Sequence, residues 1–488
     1  MLIFGFVLIF IFPLLSAMLS CLYSNKKYSK YIDIATIVLS ILTWLCATIT
    51  IYVLTVSKMR IQVSIPYVLH SVKYSFLTNQ YGLVFLGLVS TLYPISIIYT
   101  LSYFNAQKEP FPKKILAFLH IAIFACFAIA ISNNLVTSFI FYELITVTTY
   151  PLVIYPMSKQ SRLVGKQYLS YLIGSSTIFV VPALIIIHSA VGTLSFSTLG
   201  ILHSANLSQL SINILFFCIL FGIAKTAIFP LGNWLLKAMI APAPVSAIIH
   251  TVIVVKSGLF VILQSITGVF GSELLSIQLY KINNINLFTI VSLITIFIAI
   301  SKAIMTSNLK ERLAYSTISQ LGYSLLMFSI LTKTSIKAGL VQLVAHSVGK
   351  ITLFFATGAA YTVYGNYQLK SISSIWRKSP VVSFAVMLSC LSVLGLPPTI
   401  GFHAKYNIFS TLLESGEYAL VAMVIIASFL SAYYVFDILY NFLFIPKKHR
   451  TTHFQVELPI GILIVMGILC CLIVIMPYLT DIILSGTV

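Results

Sequence analysis

The 488-residue chain is 59% hydrophobic and only 8% charged, with a mean hydropathy of +1.04. Soluble domains carry roughly a quarter charged residues, so this composition excludes a soluble enzyme, a nucleic-acid-binding protein and a disordered scaffold. The net charge of +19 would suggest a polyanionic partner in a soluble chain, but in a membrane chain it more often marks cytoplasmic loops.

Apolar runs predict an all-α polytopic membrane protein with about fourteen transmembrane helices of roughly 20 residues each. Every span should be helical, because lipid offers no hydrogen bonds to the backbone. The first span is expected in place of a cleaved leader, since no basic leader or clear cleavage site is present. In chain order the predicted spans are 2–23, 32–56, 79–103, 114–132, 134–157, 167–190, 210–231, 241–268, 285–306, 313–331, 337–364, 380–406, 417–444 and 457–482.

Prolines beside charged residues indicate a duplicated architecture. Pro230 follows Lys225 in the seventh span, and Pro397 precedes Lys405 in the twelfth. Interrupted helices in corresponding positions of two halves are typical of transporters built from inverted repeats. We therefore predict two inverted repeats of five helices with discontinuous helices 7 and 12. The five candidate helix breaks are Pro230, Pro242, Pro244, Pro397 and Pro398.

The whole chain, 1–488, is predicted to be one integral membrane domain without a soluble part. Its predicted parts are N-terminal helices 1–3 (1–112), a first repeat of helices 4–8 (113–268), a second repeat of helices 9–13 (285–444) and C-terminal helix 14 (457–488). Basic residues test the span count, since odd-numbered loops hold nineteen Lys and Arg and even-numbered loops hold six. Because cytoplasmic loops attract basic residues, this bias places the odd loops in the cytoplasm and both termini on the exoplasmic side.

Nine of the ten acids lie in loops or nearer span ends, with Asp437 ambiguous. One glutamate and four lysines lie well inside predicted spans, where a charge costs at least about 2.5–3.5 kcal/mol on insertion. They are Glu143, Lys225, Lys256, Lys350 and Lys405. A lysine near a span end can snorkel to the interface, and Glu143 with Lys225 can form a purely structural ion pair. A series of lysines across successive helices also fits a proton relay, because burial favours the neutral amine and a nearby carboxylate restores its charge.

Two histidines accompany these lysines. His346 and Lys350 are spaced i, i+4 and share a helix face, so an imidazole that titrates near neutral pH can pass a proton to the amine. His250 lies six residues from Lys256, and the two do not stack. A lone histidine within a span is also often a donor between helices.

Cofactor chemistry has no support in the sequence. The seven cysteines form no CxxC or CxxH pair, which argues against a disulfide framework and against a metal or iron–sulfur site. No GxGxxG fingerprint or P-loop is present. We therefore expect no cofactor, no metal and no nucleic-acid partner.

Five stretches of the chain form a recognisable set: FYELITVTTYPLV (141–153), FGIAKTAIFPLGNWLLKAMIAPAPVSAIIH (221–250), LKERLAYSTISQLGY (309–323), VAHSVGKITLFFATGA (344–359) and GLPPTIGFHAK (395–405). Together they resemble the proton-conducting, antiporter-like membrane subunits of respiratory complex I, membrane-bound hydrogenases and Mrp-type Na⁺/H⁺ antiporters. Within this superfamily, KAMIAPAPVSAIIHTVIVVKSG (237–258) is most similar to the D subunit of Mrp antiporters.

The resemblance implies a lateral proton relay through waters, with cation exchange depending on partner subunits. The family often has PLHxWLP after the seventh-helix lysine, where this chain has Gly232 and Leu236, and a third-helix acid appears as Asn79 beside Gln80. These departures leave open a relocated proton route or a weakened exchanger. The implied relay consists of Glu143 with Lys225, His250 with Lys256, His346 with Lys350, and Lys405 at its end.

Three functions fit these observations. The first is a proton-translocating subunit of a multisubunit Na⁺/H⁺ antiporter, and the alternative is a proton-pumping subunit of complex I or a membrane-bound hydrogenase. The third is a structural scaffold with vestigial charges. For the first two we expect a multi-pass protein of the bacterial inner membrane, whose partners are other membrane subunits, the lipid bilayer, protons and Na⁺.

Overall fold

The computed structural model describes residues 2–21, 29–69, 72–107, 114–155, 157–283, 285–368, 379–443 and 458–485. The chain is an all-α polytopic membrane protein, which confirms the predicted fold class. Ten helices in these ranges are long and apolar enough to cross a membrane. Shorter apolar helices contribute further segments at 115–130, 209–222 and 380–394.

The helices follow one another in chain order with two small β-hairpins between them. The helices are α1 Leu2–Cys21, α2 Ser29–Ser57, α3 Gln80–Gln107, α4 Lys114–Ala130, α5 Leu135–Val153, α6 Lys159–Ser175, α7 Val181–Val191, α8 Gln209–Gly222, α9 Asn233–Lys237, α10 Ala243–Thr251, α11 Val254–Gln264, α12 Ser272–Gln278, α13 Leu287–Met305, α14 Leu309–Ser329, α15 Lys333–Tyr364, α16 Pro380–Leu394, α17 Ile400–Glu414, α18 Tyr418–Leu443 and α19 Ile460–Ser485. The strands are β1 Gln62–Leu69, β2 Val72–Leu77, β3 Lys281–Ile282 and β4 Ile285–Asn286.

Each of the predicted spans contains helix, but the sixth, seventh, eighth and twelfth are not single regular α-helices. The sixth begins earlier than predicted, at Lys159, and a π-helical segment at Ser176–Val180 joins α6 to α7. The seventh ends its first helix at Gly222, well before Pro230. The eighth is divided at Val252, between α10 and α11, where the sequence has no proline.

Even-numbered loops meet one another in space, as an alternating path through a membrane requires. Phe76 pairs with Ser132 and Asn134 pairs with Ser195 across the second, fourth and sixth loops. On the odd side, Asn308 pairs with Gln368 across the ninth and eleventh loops. A missed span would have placed some of these segments on opposite faces, so the contacts support the predicted order.

The first β-hairpin lies in a segment that was predicted only as a loop, where β1 and β2 pair antiparallel with Gln62 opposite Leu77. The second pairs β3 with β4 and takes up the first two residues of the predicted ninth span, whose helix begins at Leu287. Strand pairing there satisfies backbone groups locally and does not conflict with helical crossings.

The break in the twelfth span follows directly from its sequence. Gly395 ends α16 in a left-handed conformation with φ of 77°, which glycine adopts without steric cost. Pro397 and Pro398 then lack the backbone N–H that a continuing helix needs. Helix α17 begins after Thr399, whose hydroxyl donates to the Leu396 carbonyl at 2.7 Å.

We expect Gly401→Ala to destabilise the protein by at least about 1–3 kcal/mol, the usual cost of overpacking. An added Cβ would lie 1.7 Å from the Ser392 carbonyl oxygen and 2.5 Å from its carbon. Backbone of α16 cannot move aside as a flexible side chain would. Thermal unfolding in detergent measures the effect, with Gly467→Ala as a control because nothing lies within 4 Å of that Cβ. Equal melting temperatures for the two variants would contradict the expectation.

Ten of the nineteen basic residues of the odd loops lie outside the described residues, so the predicted sidedness is not tested there. The division of 1–488 into two repeats also stays a prediction. The ten are Lys26, Lys27, Lys108, Lys113, Lys370, Arg377, Lys378, Lys447, Lys448 and Arg450.

Candidate functional site

Three of the five ionisable residues predicted within spans are buried in the packed interior. Lys225 and Lys256 are 0% exposed and Lys350 is 1% exposed. Lys405 is partly buried. Snorkelling therefore does not explain the first three lysines, whose amines are enclosed by protein.

Lys225 lies in the break between α8 and α9, within a single turn of 3₁₀ helix at Ala224–Thr226. Trp234 fixes this turn by donating its indole N–H to the Ala224 carbonyl at 2.8 Å. Gly258 of α11 packs against it so closely that an added Cβ would lie 2.9 Å from the Lys225 Cβ. These contacts hold Lys225 in the protein core, in a 3₁₀ turn that interrupts the regular α-helix.

The Lys225 amine contacts α5 through Tyr142 and not through Glu143. Its Nζ donates to the Tyr142 carbonyl and lies 3.2 Å from the centroid of the Tyr142 ring. No ion pair joins it to Glu143 among the described residues. The direct carboxylate–amine pair implied by the resemblance is therefore not formed in this structure.

Glu143 is half-buried on α5, with both carboxylate oxygens enclosed. Neither oxygen has a hydrogen-bond partner within the described part of the chain. A buried carboxylate without a partner is costly, so a merely structural residue at this position would ordinarily be paired.

Lys256 of α11 and His346 of α15 form the closest contact between two titratable groups of the predicted relay. Lys256 Nζ lies 2.5 Å from His346 Nδ1. The other ring nitrogen of His346, Nε2, is buried without a partner. The sequence predicted that His346 would act with Lys350 on its own helix, but the structure pairs it with a lysine on a neighbouring helix.

Lys350 points away from His346 toward helices α14 and α18. Its Nζ donates to Ser316 Oγ at 2.6 Å, and that hydroxyl lies 2.6 Å from the Tyr434 hydroxyl. Sequence reasoning gave no role to Ser316 or Tyr434. Both hydroxyls can donate and accept, so they extend the polar interior beyond the lysine.

Lys405 lies in the second turn of α17, close to the break in the twelfth span. Its Nζ donates to the Leu394 carbonyl at 2.8 Å, an orphan acceptor at the end of α16. Lys405 and His346 line the same small cavity together with Gln320, Gln342 and Ser392. The cavity has room for about one water molecule.

His250 is fully buried in α10, apart from the contact between Lys256 and His346. Its ring stacks on Phe354 with centroids 5.7 Å apart. Neither ring nitrogen has a hydrogen-bond partner among the described residues. The expected separation of His250 from Lys256 is thus present, and no contact joins the two.

Lys310 is a buried lysine that sequence reasoning counted among loop residues. It is 4% exposed at the start of α14 and donates to the carbonyls of Met239 and Ala241 at 2.7 and 2.6 Å. These acceptors lie about seventy positions earlier in the chain. No short-range pattern could have shown the pairing.

The candidate helix breaks have two different locations. Pro230 and the pair Pro397–Pro398 lie in non-helical stretches inside spans. Pro242 and Pro244 lie at the start of α10, where Pro242 is the residue before the helix. In the described ranges no group of three or more His, Cys, Asp or Glu side chains could hold a metal ion.

Residues 132–431 match the family profile described as "NADH:quinone oxidoreductase/Mrp antiporter, TM". NADH-quinone oxidoreductase subunit L of Buchnera aphidicola subsp. Schizaphis graminum is 27% identical over 70% of this chain and 54% of its own length. Putative antiporter subunit mnhA2 of Staphylococcus haemolyticus is 28% identical over 81% of this chain and 52% of its own. The chain thus spans about half the length of these curated relatives.

Two solved structures share the fold. A chain of the membrane-bound sulfane sulfur reductase, an archaeal respiratory membrane complex, superposes with a TM-score of 0.83 at 22% identity, covering 99% of this chain and 96% of that one. A chain of the Mrp complex from Dietzia sp. DQ12-45-1b gives 0.81 at 19% identity, covering 98% and 96%. The relatives reported above carry names of L and A subunits, so a D subunit stays a prediction.

Proposed function

The chain belongs to the NADH:quinone oxidoreductase/Mrp antiporter membrane family, and from this premise we propose that it is a proton-translocating subunit of a multisubunit Na⁺/H⁺ antiporter. The contact between Lys256 and His346 at 2.5 Å carries the proposal. An amine and an imidazole at this distance can share a proton inside a dry core, where either group alone would be expensive to bury.

The proposed relay continues from His346 to Lys405. Both line a cavity that accommodates about one water molecule, and a bridging water can transmit a proton between groups too far apart for direct contact. The unpartnered Nε2 of His346 faces no protein donor or acceptor in the described ranges. It is therefore free to bond such a water while Nδ1 contacts Lys256.

Lys225 and Glu143 would form the other end of the relay. Glu143 lies next to Tyr142, whose carbonyl holds the Lys225 amine. A small rotation of the lysine would exchange the neutral carbonyl for the charged carboxylate. We propose that this exchange controls loading of the amine, because a nearby carboxylate favours the charged form.

Partner subunits and a bacterial inner membrane location, with both termini exoplasmic, are parts of the same proposal. Support comes from the relatives' names, which describe them as subunits, and from the excess of basic residues in odd loops. Cation coupling would require those partners, since the relay of this chain is built from proton-carrying groups.

The test is Na⁺-driven proton movement by the purified complex in sealed vesicles. An acid-loaded vesicle with a pH-sensitive dye should alkalinise when Na⁺ is added outside, and choline should give no signal. The redox alternative has its own support in the similarity to an NADH-quinone oxidoreductase subunit. Co-purification of NADH-binding and iron–sulfur subunits, without Na⁺-driven exchange, would favour that alternative over the antiporter.

A further inference from the structure

An open cavity of about 510 Å³ lies at the face formed by the odd-numbered loops. Its walls come from the ends of α3 and α15, the start of α6, and the segment between α9 and α10. Lysines 237 and 310 and Glu311 give it charged groups, and Tyr103 and Tyr367 line it with aromatic rings. No role in the relay proposed above depends on this cavity.

Lys310 lies at the inner wall of this cavity and is almost wholly enclosed by protein. Its amine is fixed by the Met239 and Ala241 carbonyls and lies 4.8 Å from the centroid of the Tyr367 ring. No carboxylate pairs with it in the described ranges. Neutral acceptors let an amine release and regain a proton more readily than an ion pair would.

The Ala241 carbonyl connects Lys310 to α10. Ser246 Oγ donates to the same carbonyl at 2.9 Å, so the hydroxyl and the amine are neighbours. Ser246 and His250 are spaced i, i+4 and share one face of the helix. A row of polar side chains thus runs inward from the cavity, from Lys310 through Ser246 to His250.

His250 lies between this row of polar side chains and the central lysines of the relay, Lys256 and Lys350. Its ring stacks on Phe354, which follows Lys350 by one turn of α15. Both nitrogens of this fully buried imidazole are without partners in the described ranges. A buried imidazole normally has a hydrogen-bond partner, so His250 is expected to bind one that the protein does not supply. A water molecule that delivers a proton is the smallest such partner.

We propose that Lys310 is a proton-transfer residue, joining the odd-loop cavity to His250 and so to the central relay. The inference rests on the proposed function, since it supplies that function with access to one side of the membrane. In each cycle the Lys310 ammonium gives a proton to Ser246 Oγ while the serine hydroxyl releases its own proton toward His250 through water. The neutral amine then takes a proton from hydronium in the cavity, which leaves a neutral water. No covalent bond other than N–H and O–H forms or breaks, and the lysine ends as it began.

Lys310 could instead serve only to satisfy carbonyls at the end of the short helical turn at 238–240. Lys310→Met and Lys310→Arg separate the two roles in the complete complex, reconstituted in vesicles. Arginine keeps the charge and the donors but does not deprotonate. We expect both variants to assemble with their partners and to lose about 10²-fold in exchange rate, the usual loss for a proton-transfer group. Rescue by arginine would overturn the inference. Lys302→Met, exposed on α13 and outside the cavity lining, is the control and should retain exchange.

A second measurement leaves Lys310 unchanged and serves even if its variants fail to assemble. Gln107 lines the cavity, and Gln107→Cys can be labelled with a bulky, membrane-impermeant maleimide from the odd-loop side. Labelling should stop exchange relative to the same variant before labelling, and identical treatment of the unaltered chain controls for its native cysteines. Full exchange after complete labelling would overturn the inference. An unaltered complex without any Na⁺-driven exchange would instead count against the proposed function itself.

Discussion

Replacing Lys256 with methionine should lower Na⁺-driven proton exchange by at least about 10²-fold, the contribution typical of a proton-transfer residue. Methionine approximates the length of the lysine stem but carries no proton. His346 Nδ1 would lose the amine that lies 2.5 Å away, and the relay would be interrupted at its shortest step. Initial exchange rates in reconstituted vesicles measure the effect.

The same substitution should leave the subunit folded and assembled. Replacing a buried charged group by an apolar one of similar volume is often neutral or stabilising. Lys302→Met is a suitable control, because Lys302 is exposed on α13. If Lys256→Met exchanged ions as fast as the control, the relay between α11 and α15 would be refuted.

The membrane-spanning helices could be predicted because the lipid bilayer restricts which sequences can cross it. Apolar runs of sufficient length must be helical in a bilayer, and glycine and proline at 395–398 mark a break by known backbone chemistry. The break at Val252 had no such mark. There α10 and α11 both pack against α5 and α14, and contacts between such distant segments are not visible in the local sequence. The β1–β2 hairpin was missed for a related reason, since loop segments carry no lipid constraint.

The identity of the site residues was easier to predict than their partners. A charge in an apolar span is conspicuous because its insertion is expensive, and Lys225, Lys256 and Lys350 all lie in the core. Spacing along one helix favoured His346 with Lys350, yet the imidazole contacts a lysine ninety positions away. Such pairings depend on how helices pack, which periodicity does not reveal.

For Lys310 the prediction of its location was wrong, because the residue is buried. Its position beside polar residues at the start of α14 favoured a loop location, so it was counted as evidence for orientation. Its amine instead closes a gap between α14 and the segment before α10. The positive-inside rule concerns the side of the membrane on which a loop lies, and it does not distinguish an exposed loop lysine from one covered by other loops.

Glu143→Gln should reduce exchange by about 10²-fold or more without lowering the melting temperature of the complex. Both carboxylate oxygens are buried and unpartnered in the described chain, so a neutral amide of similar shape removes the penalty of an isolated buried charge. The nearby Lys225 amine is held by the Tyr142 carbonyl and keeps its contact. Exchange assays and thermal unfolding of the same preparation measure the two effects.

This pairing of results separates a relay from a structural ion pair. If Glu143 served mainly to stabilise Lys225, its neutralisation would leave a buried charge uncompensated and cost about 3–5 kcal/mol, so stability and exchange would fall together. If Glu143 belongs to a relay, only the exchange rate falls and stability is kept, because the proton acceptor is removed while the packing is unchanged. Glu414→Gln, on the exposed end of α17, should alter neither quantity. Normal exchange by Glu143→Gln would mean that the α5 carboxylate has no part in moving protons.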